Sequence, residues 1–467
     1  MIIAAIRCGE MLVAAASSLM TWLPAPGRGR ELAARSHALD SSEATIDVTS
    51  RGLIGDGQTN ITSGLRSLVA SASAGQTLFF PKGDYSAPAG TIIYIDKPIK
   101  FLGDGANLVN VRLYFLADAD LDGLSLTEVD CVHDQKSPAT CPVSGAMITA
   151  GYVGYPLDNV SIRNVNISTT RAYTAIEFGF DRIGNATIDH FKIVDHELSG
   201  ISIYGGKHIR ITNGTIRGGA DAVVDDGIAL SPYYGPISDV IISNVSASQT
   251  ADLVGIGSDL FWPLMNVSIS QSSCDRTLVC LYFRLGDAAP PPAPYAQYSY
   301  VDGITVDGVL DTDSNGERYQ ASVLLVARGG AVGRNIFVSG LVANARAASP
   351  HGFRVHAFLD GGSTLQNVIL ANCRFDDSLL GIANSPAAPG FPMAEGIFLQ
   401  TDAASFIHGL TLAHVHLAGA AYSGIDAAGA QVANLQLINP DFTNVFLNQP
   451  ERKGSSFYIP PSSTNGR

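Results

Sequence analysis

Short runs in which aliphatic and polar residues alternate recur along most of the chain. One form appears as Asn159-Val-Ser-Ile-Arg-Asn-Val-Asn-Ile167. It returns at Asn185–Ile188, His208–Ile211, Asp239–Ile242, Asn266–Ile269, Gly303–Val306, Asn335–Val338, Asn367–Leu370, Gly409–Leu412 and Asn434–Leu437. Successive copies are 26, 23, 31, 27, 37, 32, 32, 42 and 25 residues apart. A second strand-like run lies between them. Aligned on a central aliphatic, it reads Ala175-Ile176-Glu177-Phe178, Gly200-Ile201-Ser202-Ile203, Gly227-Ile228-Ala229-Leu230, Gly255-Ile256-Gly257-Ser258 and Cys280-Leu281-Tyr282-Phe283. The later copies centre on Leu324, Val355, Ile397 and Ile425. A period of two puts the aliphatics of each run on one face.

The spacing decides among architectures. A unit of this length has no room for a strand plus a crossover helix, which excludes a βαβ fold. A propeller blade needs about 40 residues. The remaining solution is a solenoid in which each unit is one coil and successive coils stack as parallel strands. The chain therefore reads as an all-β protein. Irregular spacing places loops of varied length on one side, where a groove would be built. Residues 62–74 have helical spacing, with Thr62 or Ser63 as N-cap. Such a helix would cover the open strand edges at the N-terminal end of the stack. The expected layout is an N-terminal segment 1–38, a solenoid domain 44–448 and an irregular tail 449–467.

Composition narrows the function. The 467 residues are 46% hydrophobic and 15% charged, enough to fill a large core, and 48 glycines suit many tight turns. The formal charge of −13 and the lack of any Lys/Arg run argue against nucleic-acid binding. Met11–Leu23 is apolar, follows Arg7 and is too short to span a bilayer, so it reads as an export signal. A secreted or periplasmic monomer without a membrane span is expected. Cys131 and Cys141 bracket a polar insertion and suit a loop disulfide; Cys274 and Cys280 are also close in sequence. No Cys-x-x-Cys pair occurs, and His190, His196 and His208 do not share a strand column, so no metal site is expected.

Gly55-Asp56-Gly57, the helix, and Thr77-Leu-Phe-Phe-Pro81-Lys-Gly83-Asp-Tyr85 resemble the opening of polygalacturonase-like and pectate-lyase-like proteins. Gly200–Ile203, Asp225-Asp226-Gly-Ile-Ala-Leu230 and Gly255–Ser258 resemble the catalytic coils of family 28 glycoside hydrolases. The resemblance covers most of residues 46–290. It implies a single-stranded right-handed parallel β-helix and an inverting hydrolase acting on an acidic or uronate- and rhamnose-containing polysaccharide. It implies Asp225 as proton donor and Asp226 as part of the water-activating pair. Three departures stand out: Ser199 and Ser202 replace the family's further aspartates, and Val254 replaces its histidine.

On their own terms, adjacent carboxyls repel, and one of them tends to keep its proton. Asp-Asp-Gly is equally ordinary turn chemistry. In the alignment above, Asp259 lies one coil from Asp226 and is the candidate for the missing partner; it could instead simply pair with Arg284. Arg284 could also grip a substrate carboxylate. Tyr204, Tyr282, Glu177, Ser202 and His356 face outward as candidate sugar contacts. Two other functions fit the same residues. A polysaccharide lyase would use carboxylates to hold Ca²⁺ and Arg284 to remove a proton. A non-catalytic carbohydrate-binding β-helix would need neither. The hydrolase itself needs no cofactor. The seven Asn-x-Ser/Thr sequons, Asn60 to Asn266, mostly fall at coil corners and read as architecture.

Overall fold

The structure, a computed structural model, describes residues 45–129, 146–152, 154–169, 174–179, 182–196, 198–219, 226–257, 261–286, 300–312, 321–344, 354–376, 396–418, 425–427 and 430–443. The chain divides into two compact units, Met1–Ser42 and Glu43–Arg467, and all described residues belong to the second. The expected signal segment, the tail after 448 and the Cys131–Cys141 pair lie outside the described residues.

Strands pair in parallel from one coil to the next, forming a right-handed parallel β-helix. Its core is a set of aligned columns. Ile162, Ile188, Ile211, Ile242, Ile269, Val306, Val338, Leu370 and Leu412 follow one another in register, all buried. Each contributes about 1.5–3 kcal/mol by leaving water. A second buried column runs Ile148, Ile176, Ile201, Ile228, Val254, Leu281, Val323, Val355, Ile397 and Ile425. This second column differs from the sequence alignment at two coils. Val254, not Ile256, lies opposite Ile228, and Val323, not Leu324, lies opposite Leu281.

Corners are made by polar residues in the left-handed region. The strands Ile183–His196, Gly206–Gly218 and Ile237–Ser248 bend at His190, Asn213 and Asn244, with φ of 52°, 55° and 54°. Asn tolerates this region because its short side chain bonds locally. The corners also bond to one another: Asn213 Nδ2 donates to Asp189 Oδ1 at 2.8 Å, and Asn244 Nδ2 to Asn213 Oδ1 at 2.8 Å. Asn266 Nδ2 donates to Asp239 Oδ1 at 3.0 Å. These sequon asparagines are thus built into the coil corners.

The one α-helix among the described residues, Thr62–Ser71, buries Leu65, Leu68 and Val69. Its N-cap is Ile61, which makes no side-chain cap bond, so neither Thr62 nor Ser63 fills that role. Instead Asn60 Oδ1 accepts from the Thr62 N–H at 2.9 Å. Lys97 Nζ donates to the carbonyls of Ala70 at 2.7 Å and Ala72 at 2.8 Å, satisfying the helix end from another segment. Cys274 and Cys280 form a disulfide, and Cys373 is buried and free. Among the described residues no helix is long and apolar enough to cross a membrane.

Candidate active site

Outward neighbours of the Ile148–Ile425 column form a continuous file on one face. In order they are Tyr114, Thr149, Glu177, Ser202, Ala229, Gly255, Tyr282, Leu324, His356 and Phe398. Three positions earlier on the strands, Thr174, Ser199 and Asp226 lie in register. The next coil brings Asp252 alongside Asp226, because the Gly227 N–H donates to the Asp252 carbonyl at 2.9 Å.

The two acidic side chains meet over Gly255. A methyl group placed on Gly255 would lie 2.9 Å from Asp226 Oδ2 and 3.0 Å from Asp252 Oδ2. A Cβ here would press on both carboxyls and force them to shift. Asp252 is fully buried and Asp226 half-buried. Both Oδ2 atoms thus lie within 3.0 Å of one point, and neither Asp252 carboxyl oxygen has a hydrogen-bond partner among the described residues. Two carboxylates this close repel in a buried site, so one member tends to keep its proton. Burial, and then the charge of Asp226, push Asp252 well above the usual carboxylate range. Burial also raises Asp226, against the opposing influence of the neighbouring Asp252 carboxyl and the Arg284 charge. The arrangement is a coupled pair of carboxyls in which one member tends to stay protonated.

Tyr282 stands one rung beyond Gly255, half-buried, with its phenol pushed up by burial and in the field of Arg284, Asp226 and Asp252. Arg284 follows on the same strand. Because Val254 centres its coil, the residue opposite Arg284 is Gly257 rather than Asp259. The register that placed Asp259 beside Arg284 is therefore replaced, and Asp259 itself lies outside the described residues. So does Asp225.

Glu177, Ser202 and Tyr204 gather on the coils before the carboxyl pair, but Ser202 is buried and so does not offer the outward sugar contact expected of it. Glu177 lies opposite Ser202 and is hydrogen-bonded to the Tyr204 phenol. Burial pushes Glu177 up to about 7. Tyr204 leads into an aromatic group: its ring is 6.0 Å from Tyr234, which is 4.8 Å from Tyr233, which is 4.7 Å from Phe261. His356 is two rungs beyond Tyr282, its ring 5.1 Å from that of Phe398 and tilted against it; burial lowers it to about 4, so it is neutral. It stands apart from the carboxyl pair.

Asp252 is the residue the sequence reading missed. Its signal was present: Asp252 precedes Val254 by the same two residues that separate Asp226 from Ile228. The Gly255-Ile256 dipeptide mimics Gly227-Ile228 and draws the alignment two residues too far.

No family model matches the chain, and no curated protein matches it. Several solved structures do. The family 28 exopolygalacturonase of Yersinia enterocolitica is 12% identical, with a TM-score of 0.49 over 88% of this chain and 77% of that one. The catalytic domain of a GH87 alpha-1,3-glucanase in complex with nigerose is 15% identical, with a TM-score of 0.49 over 91% and 70%. The polygalacturonase of Erwinia carotovora ssp. carotovora is 13% identical, with a TM-score of 0.39 over 89% and 100%.

Proposed function

We propose that the protein is a polysaccharide-degrading glycoside hydrolase whose reactive centre is the Asp226–Asp252 pair. The observation that carries this reading is the meeting of two carboxyls over Gly255, on an outward file flanked by Tyr282 and Arg284. Inverting hydrolysis needs an acid and a base on opposite sides of the sugar, about 6.5–9.5 Å apart. Two carboxyls packed within 3.0 Å of one point are too close to be both, so the pair acts as one unit. As a monoanion it takes a proton from water while the water oxygen bonds to the anomeric carbon. Asp225, next in the chain, supplies the proton to the leaving oxygen. Export is part of the proposal, supported by the apolar segment Met11–Leu23 and by the Cys274–Cys280 disulfide.

Digestion of a glycan panel by wild type and by Asp252→Asn tests the reading. New reducing ends are expected, with kcat lowered about 10²–10⁴-fold in the variant. Undiminished turnover by Asp252→Asn would remove the pair from the mechanism. An unsaturated, ultraviolet-absorbing product lost with chelator would indicate a Ca²⁺-dependent lyase. Binding without products would indicate a carbohydrate-binding module.

A further inference from the structure

The outer face changes character at the carboxyl pair. Before it, the outward file is Tyr114, Thr149, Glu177, Ser202, Ala229 and Gly255. The adjacent turn positions are Gly151, Gly179, Tyr204, Ser231 and Gly257, stacked through the N–H groups of Gly179, Tyr204, Ser231 and Gly257. Among the described residues neither file contains Lys or Arg until Arg284. Arg112, two residues before Tyr114, is buried in an ion pair with Glu128 at 2.9 Å. Beyond the pair, cations appear: Arg284, and Arg328 lying 5.0 Å over the Phe358 ring.

We infer that the face on the N-terminal side of the carboxyl pair binds uncharged sugar residues, with Glu177 as their hydrogen-bonding partner and Tyr204 and Tyr234 as ring contacts. This rests on the hydrolase reading for the cleavage point but names its substrate class. A uronate or sulfated residue placed here would meet a carboxyl and phenols with no described cation to offset its charge. A neutral sugar offers hydroxyls to Glu177 and an apolar ring face to the tyrosines.

The groups facing Glu177 come from four segments. Tyr204 bonds it, and Tyr114, Tyr152 and Tyr234 lie within its electrostatic reach. The pKa of each of these phenols is raised, so all are neutral at physiological pH. The titration that remains near neutrality is that of Glu177 itself, a donor below about 7 and acceptor-only above it.

Calorimetry on the full chain carrying Asp226→Asn tests this, with linear hexasaccharides of glucose, xylose and galactose against hexagalacturonate, at two pH values on either side of neutrality. At least one neutral probe should bind in preference to hexagalacturonate and about tenfold more tightly at the acidic pH. Adding Tyr204→Ala should weaken it about tenfold. Adding the isosteric Glu177→Gln, which keeps an uncharged donor, should retain the binding and erase its pH dependence. Preference for hexagalacturonate, indifference to Tyr204→Ala, or a pH dependence that survives Glu177→Gln would overturn the assignment. Two outcomes separate this claim from the hydrolase reading. Wild type that cleaves only uronate oligomers would sink the neutral subsite and leave the hydrolase. Neutral oligosaccharides bound by the variant but never cut by wild type would do the reverse.

Discussion

At the residue scale, the Asp226–Asp252 pair sets activity against stability. The Asp252 carboxyl holds its proton in the folded protein to a pH well above the ordinary value of 3.8. The folded state therefore binds more protons than the unfolded chain once pH passes 3.8. Stability from this group is complete below that value and declines as pH rises toward the folded pKa. Asp252→Asn removes the titration. Its melting temperature should match wild type in acid and exceed it above neutrality, by about 1 kcal/mol of stability, while turnover collapses. Melting curves across that range check the sign; an equal deficit at every pH would refute it. Gly255→Ala acts on the same pair by space alone. Its methyl group would land against both Oδ2 atoms, so kcat should fall about 100-fold with the fold retained, as judged by circular dichroism.

At the element scale, each coil is fixed by what happens at its corners. Asn244 adopts a φ of 54° and donates to Asn213, so its identity serves both backbone and ladder. Asn244→Ala should cost about 1–3 kcal/mol in denaturant unfolding, and Asn244→Gly less, because glycine keeps the left-handed conformation. Equal costs would show that the side-chain bond alone matters. The helix Thr62–Ser71 illustrates the same economy of termini. It has no side-chain N-cap, and Lys97 serves its C-terminal carbonyls from 25–27 residues away.

At the scale of the whole molecule, each coil touches chiefly its neighbours, so stability accumulates along the stack. Ile228 lies inside the coil that carries Asp226, whereas Leu412 lies near the far end. Either residue changed to Ala should lose about 2–5 kcal/mol locally. Ile228→Ala should also abolish turnover, while Leu412→Ala should loosen the C-terminal coils and leave turnover close to wild type. Hydrogen exchange resolved by segment, read beside activity, distinguishes the two. Loss of protection spread evenly through both variants would contradict a stack of neighbour-coupled coils.

The alternation of aliphatics, the spacing of its copies and the asparagines at corners are local properties, and they determined the stacked parallel coils and most of the inward columns, while helical spacing over 62–74 marked the helix at Thr62–Ser71. A period of two fixes which side of a strand is buried where only one face is apolar; at Val323-Leu324-Leu325-Val326 both faces are, and the structure turns Val323 inward where the alignment put Leu324. The period does not fix which rung lies beside which, because a shift of two residues keeps the same face inward. Gly255-Ile256 and Val254-Gly255 both satisfy the pattern, and only the stacking of Val254 on Ile228 chose between them. That choice brought Asp252 to Asp226 and set Gly257 opposite Arg284. The proximity of two carboxyls 26 residues apart, and the burial that holds a proton on one of them, are consequences of register and depth. Those belong to the tertiary structure alone.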